Sequence, residues 1–544
     1  MEQQDTQKRL LIAMVLSFAI LVGYSYLFPP KQQSNDLNSS SQSKSIAATT
    51  KKSSTSIEAP SVKSPAVSGK STAAVPATTS AQADQKDIIA VISSKNYIFK
   101  IDKLGRIASA KLLKEKYKDT NGSYAELFDR DKALPLELRF ADKSINSAAF
   151  KTTYTASSKS IKVTDAPQSL TLTQKLPDTV ITKKITFYPD GHYDLDVESS
   201  NALDIFLTPG HRPDVDHSRY LLVRGSLIRD SKGVMTTIED GKAKKTETVQ
   251  DATIISSFDR YDASLFYAFD TPVQAIIAVG NGNDPLPFVT AKKSIKIHGY
   301  VGAKDWRILQ NIHPKLTDAI EFGWFTFLSR PFFKVMLWIK DYVGNWGWAI
   351  ILFTLLIKLI LFPLSYKGMM SMNKMRDLAP KIKELKEKYG KDPAKMNQQT
   401  MELYKKHGAN PMGGCLPMLL QIPVFFALYR VLLNATELQG AHWIAWIQNL
   451  ADKDPYYVLP ILMGVSMFVS QKLQPNTMTD PMQKKIFQWF PAIMTFFFLT
   501  FPAGLVLYWL TNNILTIGQQ AYINHAYNKY KENIKRANSS KNKE

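Results

Sequence analysis

The chain of 544 residues has a single cysteine, Cys415, so no intrachain disulfide can form. Any part of it outside the cytoplasm must stand on its hydrophobic core alone. The short motifs of common enzymes are also missing. There is no phosphate-cradling glycine loop, no His-Glu-x-x-His and no Cys-x-x-Cys pair. His211 and His217 flank Asp214 and Asp216 and invite a metal or acid–base reading. A polar loop accounts for the same residues more simply, so neither a metal nor a cofactor is expected. Cys415 reads as a small packing residue at a membrane edge.

A mean hydropathy of −0.17 would suit a soluble protein, but the apolar residues are bunched. The net charge of +21 is bunched too, and basic blocks beside apolar blocks suit anionic lipid or nucleic acid. The length calls for at least two domains.

Lys8 and Arg9 precede an uncharged run, Leu10 to Phe28. At 1.5 Å per residue it covers about 28 Å, close to a bilayer core. It ends in Tyr-Leu-Phe-Pro-Pro without a small-residue cleavage site. An uncleaved anchor over residues 1–30 is therefore expected, with a cleaved signal peptide as the alternative. Residues 31–86 are rich in Ser, Ala, Thr, Lys and Pro and read as a disordered periplasmic tether.

From 87 to 316 the period changes to two. Asn96 to Ile101 alternates and Leu104-Gly105-Arg106 turns. Lys184 to Phe187 and His192 to Val197 alternate on either side of the tight turn Tyr188-Pro189-Asp190-Gly191. Short strands with turn signals predict a large all-β sandwich. Residues 317–341 mix Phe and Trp with Arg330, Lys334 and Lys340. This suits an amphipathic helix in the membrane interface; a core helix of the β domain is the other reading.

Apolar runs then follow at about 346–364, 416–433, 456–470, 486–501 and 503–518. Several sit at the short end of what spans a bilayer. Between the first two, residues 365–407 carry eleven Lys and Arg against five acidic residues. Lys472 to Lys485 and the tail 525–544 are basic, whereas Glu437 to Pro455 is not. The positive-inside rule then yields one arrangement: six spans, both termini cytoplasmic, and the β domain outside between the first two spans. Within 365–410, Met372 to Tyr389 reads as a charged helix stopped by Gly390 and bent or broken at Pro380. Asp392 caps a second helix that starts at Pro393. Together they form a cytoplasmic helical hairpin whose cations include Lys374, Arg376, Lys381, Lys383, Lys405 and Lys406.

The most informative absence is of carboxylates. No acidic residue lies inside any apolar run, yet Lys358 does. A charge there costs at least about 2.5 kcal/mol unless it meets water or a partner. Either Lys358 faces a hydrated cavity in the bundle, or it snorkels from two turns inside Leu364 to the lipid phosphates. Thr354, four residues earlier on the same face, favours the cavity, as do Gln421 and Thr511, Asn512 and Asn513. Ordinary interhelical hydrogen bonds are the alternative for each.

Several stretches in order carry a resemblance that extends over essentially the whole chain. They are Val343-Gly344-Asn345-Trp346-Gly347, Asn410-Pro411-Met412-Gly413-Gly414-Cys415-Leu416-Pro417, Asp454-Pro455-Tyr456-Tyr457, Thr479-Asp480-Pro481-Met482-Gln483 and Phe501-Pro502-Ala503-Gly504-Leu505-Val506-Leu507-Tyr508. The chain resembles the YidC family of membrane protein insertases, in its long form with a large periplasmic domain. The resemblance implies a five-helix core (342–524) around a hydrophilic groove open to cytoplasm and lipid, with a periplasmic β-super-sandwich. It places Lys358 where the family usually has arginine. It implies client-helix contact at Thr354, Tyr508 and Trp509. The partners it implies are nascent membrane proteins, the Sec translocon with its accessory subunits, and membrane lipids. The basic loop and tail suit the ribosome, although inside retention explains the tail equally well. Rival classes are a transporter open to both sides and a membrane-anchored sugar enzyme acting through the β domain.

Overall fold

The computed structural model describes residues 87–541, except 119–121, 217–221, 391, 410 and 475–480. The expected anchor (1–30), the tether (31–86), His217 and the side chain of Cys415 lie outside the described residues.

Two antiparallel-rich sheets build the β region. The smaller has four strands, ordered Ile107–Leu112, Tyr97–Asp102, Ile88–Ser93 and Ser160–Lys162. The larger has thirteen. From its Glu137–Phe140 edge it passes through Asp204–Thr208, Pro285–Lys292, Val273–Val279, Glu247–Phe258 and Asp262–Tyr267. It continues through Ser294–Ala303, His192–Ser199, Val180–Phe187 and Gln168–Lys175 to Thr155–Ala156, with Gly225–Asp230 and Met235–Glu239 off this path. The hairpin read at Tyr188–Gly191 is present: Phe187 pairs with Tyr193, and Gly191 takes φ +97°, open to glycine at no steric cost. Period two sends Tyr193, Leu195 and Val197 into the core and His192, Asp194 and Asp196 to the other face.

The same period buries some charges. Arg106, about 1% exposed, pairs with Asp102 at 2.8 Å and with Glu137 at 2.9 Å, and Glu137 also holds Arg139 at 2.9 Å. Lys183 occupies an inward position between Ile181 and Ile185. Its ammonium donates to the carbonyls of Gly105 (2.9 Å) and Leu136 (2.8 Å), and burial lowers its pKa to about 7.

Ten α-helices are described. After α1 (Lys143–Ala149) and α2 (Trp306–Ile312) come α3 (Thr326–Val343), α4 (Trp346–Ile360), α5 (Phe362–Tyr389) and α6 (Pro393–Lys406). They are followed by α7 (Pro411–Asn434), α8 (Val458–Leu473), α9 (Pro481–Phe498) and α10 (Ala503–Lys541). Helix α3 buries Phe333 and Met336 and exposes Phe327, Trp338 and Tyr342. Its inner face lies on other helices: Ser329 bonds the Ala427 carbonyl at 3.2 Å and Phe332 meets Phe353 edge-on at 5.2 Å. Gly344, at φ +70°, ends it.

Helix bounds depart from the hydropathy reading in three places. The run 346–364 is not one helix: α4 ends at Ile360 and the chain bends by 64° into α5. Pro363 has no N–H to continue the α4 ladder but fits the first turn of a new helix. The charged helix therefore starts at Phe362, and it runs through Pro380 without the expected break. The last apolar run does not end near Gly518, because α10 continues for 39 residues to Lys541. Among the described residues no single helix is long and apolar enough to cross a membrane; the α4–α5 pair meets that test jointly.

The β region and the helices meet through buried polar contacts. Arg260 Nε donates to the Leu433 carbonyl at 2.7 Å, and Glu437 accepts the Trp306 N–H at 2.8 Å. Lys116 lies 3.6 Å from Asp305. Burial raises the Glu437 carboxyl to about 7, with Asp305 adding to the rise, and raises the Asp262 carboxyl to about 7.

Residues 383–401 are the described part of a second compact unit. Within it Asp392 Oδ1 accepts the Lys395 N–H at 3.1 Å, the N-cap read from the sequence. Lys388 and Lys395 both lie over the Tyr389 ring, at 5.5 and 5.3 Å.

Candidate functional site: a polar groove among α4, α7 and α10

Helix α4 is set by Asn345, whose side chain accepts the N–H groups of Gly347 and Trp348. Its interior is apolar except for Thr354 and Lys358, one turn apart on one face. Thr354 is 2% exposed and donates to the Ile350 carbonyl at 2.7 Å, which satisfies its hydroxyl within the helix. Lys358 reaches across to α10 and donates to Thr516 Oγ1 at 2.8 Å. Thr516 in turn donates to the Asn512 carbonyl at 2.6 Å. From α7, Gln421 Nε2 donates to Asn512 Oδ1 at 2.9 Å.

Thr354, Lys358, Gln421 and Asn512 line one groove, together with Tyr508, Ile357, Val424, Leu361 at the end of α4, and Leu364 and Ser365 in the first turn of α5; Thr516 lies outside that lining. No carboxylate pairs with Lys358 among the described residues. The groove thus offers a lone cation, amides and hydroxyls beside apolar walls. It can attract and orient an acidic or carbonyl-bearing segment. Among the described residues no cluster of three or more His, Cys, Asp or Glu could hold a metal.

The loop before α8 packs over the N-terminal ends of α4 and α10. Asn345 Nδ2 donates to the carbonyls of His442 (3.0 Å) and Trp443 (3.1 Å). Trp443 packs so close to Gly347 that a Cβ there would lie 2.0 Å from its ring. Leu438, Ile447 and Leu450 of the same loop are buried, and Ala503 and Gly504 donate to the carbonyls of Asp452 and Leu450.

The remaining sequence candidates are placed elsewhere. Trp509 stacks edge-on against Phe425 at 4.8 Å and lies 5.2 Å from Phe498, outside the groove lining. Thr511 is buried, also outside the lining. Asn513 donates to Ser466 Oγ at 3.1 Å and so joins α10 to α8. At the other end, Lys374 Nζ meets the Gly408 carbonyl at 3.4 Å and Lys381 Nζ lies 3.2 Å from His407 Nε2. Arg376 is half-buried; Lys383, Lys405 and Lys406 are exposed. His211 lies 3.4 Å from Asp284. Thr516 and Ser365 were missed by the sequence reading. The signal for Thr516 was its place four residues after Asn512 and eight after Tyr508 on one helix face.

Comparison with known proteins agrees with this architecture. Residues 338–532 match the profile described as the 60Kd inner membrane protein, and 284–335 match the YidC periplasmic domain. The membrane protein insertase YidC of Wolinella succinogenes is 45% identical over 525 residues, 96% of this chain and 96% of that one. The chain belongs to the YidC family. The Helicobacter pylori YidC is 43% identical over 573 residues, all of both chains. A crystal structure of active YidC insertase with its first transmembrane domain resolved covers 79% of this chain and 94% of its own, at 18% identity and a TM-score of 0.35. As a YidC-family member the chain is a bacterial inner-membrane protein with a periplasmic β-rich domain followed by a helical region.

Proposed function

We propose that this YidC-family chain is a membrane protein insertase and chaperone, not an enzyme. It inserts, folds and helps assemble inner-membrane proteins, alone or with the Sec translocon. The observation that carries this is Lys358: a cation without a carboxylate partner among the described residues, inside a groove lined by Thr354, Gln421, Tyr508 and Asn512. In this reading the groove opens to cytoplasm and lipid and is closed on the periplasmic side; the buried Leu438, Ile447 and Leu450 of the loop over the α4 N-terminus support such a closure. That also argues against a transporter, which needs a path open at both ends.

A nascent membrane protein must move a polar segment through a layer that excludes it. A hydrated groove shortens the crossing, and the Lys358 charge draws an acidic or polar segment into it. The client's apolar helix slides along the lip near Thr354, Tyr508 and Trp509 and leaves into lipid. Apolar burial, at about 0.8 kcal/mol per CH₂, drives that step without ATP. The short apolar helices thin the bilayer locally. In this reading six spans place both termini in the cytoplasm. The hairpin cations receive the client and, with the tail, meet the ribosome and anionic lipid. The β domain is the contact for the Sec accessory subunits.

The test is Lys358→Ala in proteoliposomes. Clients with acidic translocated segments should insert about tenfold more slowly or worse, the scale of losing a desolvated charge contact. Insertion of such clients at the wild-type rate would falsify the groove-charge mechanism.

A further inference from the structure

A lysine in a membrane helix has two places for its ammonium: inward, or out along its stem to the lipid phosphates. Lys358 lies only two residues before the end of α4, so the second is within reach. Something must hold it inward. The contact it makes is with Thr516 Oγ1, at 2.8 Å. The hydroxyl of Thr516 has one proton, and that proton goes to the Asn512 carbonyl at 2.6 Å. Toward Lys358 the hydroxyl therefore presents a lone pair, and it is locked in that role. Asn512 is itself held from α7 by Gln421 at 2.9 Å. One chain of bonds thus runs Lys358, Thr516, Asn512, Gln421 across three helices.

From this chain we infer that Thr516 is a positioning residue. It holds the Lys358 ammonium inside the groove, and by taking one of the three N–H donors it aims the other two at a client carboxylate or carbonyl. This rests on the insertase reading and adds to it the residue that makes the groove selective for charge. An ammonium has no built-in direction, unlike the planar fork of a guanidinium. A groove that uses lysine needs an external fixed acceptor to give it one. Thr516 supplies that acceptor because it is one turn beyond Asn512 on the face that also carries Tyr508.

The experiment uses the full-length protein in proteoliposomes and two clients that differ in a translocated segment, one acidic and one uncharged. Thr516→Val keeps the shape and removes the acceptor; Thr516→Ser restores it. Acidic-client insertion should fall about tenfold in Thr516→Val, the scale of one hydrogen bond to a charged group, and return in Thr516→Ser. The uncharged client should be unaffected by either change. A second readout is acylation of Lys358 by an amine-reactive lipid-surface reagent, followed by mass spectrometry. It should speed up in Thr516→Val alone, as the ammonium moves to the headgroups. Wild-type insertion of the acidic client by Thr516→Val overturns the proposal, as does equal loss in Thr516→Val and Thr516→Ser. If Lys358→Ala leaves the acidic client unaffected, the failure belongs to the groove-charge reading beneath it.

Discussion

The protein holds cations in two regions, fully buried in the β domain and half-buried in the groove, and treats them in opposite ways. In the β domain Arg106 has Asp102 and Glu137 within 2.9 Å, and Lys183 has two carbonyls within 2.9 Å. In the groove Lys358 has one neutral hydroxyl and open volume beside it. A buried charge whose bonds are filled by its own protein is part of the structure. A half-buried charge left with unused donors beside a cavity is available to a visitor. The contrast separates scaffold from function without reference to where either residue lies in the sequence.

That contrast can be broken by removing each cation and reading stability and insertion separately. The largest stability effect is expected for Arg106→Ala. It strips Asp102 of its cation and leaves Glu137 with Arg139 alone, both carboxylates being about 1% exposed, and should cost about 3–5 kcal/mol. Hydrogen exchange in strands Tyr97–Asp102 and Ile107–Leu112 would report it; exchange at the wild-type rate would mean the pair is not holding the sheets. Lys358→Ala should do the reverse, with insertion lost and thermal stability unchanged or higher, since a poorly compensated charge is relieved. A drop in thermal midpoint as large as that of Arg106→Ala would erase the distinction.

The smallest effect within any one pH unit is a pH dependence at Lys183. Its folded pKa, near 7, lies below the ordinary lysine value, so the folded protein binds fewer protons than the unfolded chain between about pH 7 and 10. β-domain stability should therefore rise with pH across that window, by at most about 1.4 kcal/mol per pH unit, and be flat in this respect below it. Denaturant unfolding as a function of pH measures the slope, and Lys183→Met should remove the part between about pH 7 and 8, the remainder being shared with Lys304, which burial lowers to about 8. A slope that survives between about pH 7 and 8 in Lys183→Met must come from another group.

The parts that were legible in the sequence are those governed by local period and turn chemistry. The alternation on both sides of Tyr188–Gly191 produced the hairpin, and the Asp392-Pro393 pair produced a helix start. Lys358, Thr354, Gln421, Tyr508 and Asn512 were all singled out, and all line one groove. Trp509 and Thr511 were singled out with them but lie outside the lining: Trp509 is taken up by Phe425 and Phe498, and Thr511 is buried. Hydropathy gave the apolar runs but not where helices stop. The bend at Leu361 falls inside an apolar run, and α10 continues through polar residues with good helix propensity. The buried charge network was not legible at all. Glu137 is 31 residues from Arg106, and Gly105 is 78 from Lys183, so only the folded sheets bring them together.

Helix α10 has a mechanical consequence. Its 39 residues make a rod of about 58 Å, longer than a bilayer core is thick. The same rod carries Tyr508, Asn512 and Thr516 and, nearer its far end, Tyr527 and Lys531, both bonded to Asp377 of α5. A stiff shaft cannot turn at one end only. A load that rotates or tilts the tail would therefore be felt at the acceptor that faces Lys358, because one unbroken helix joins the two.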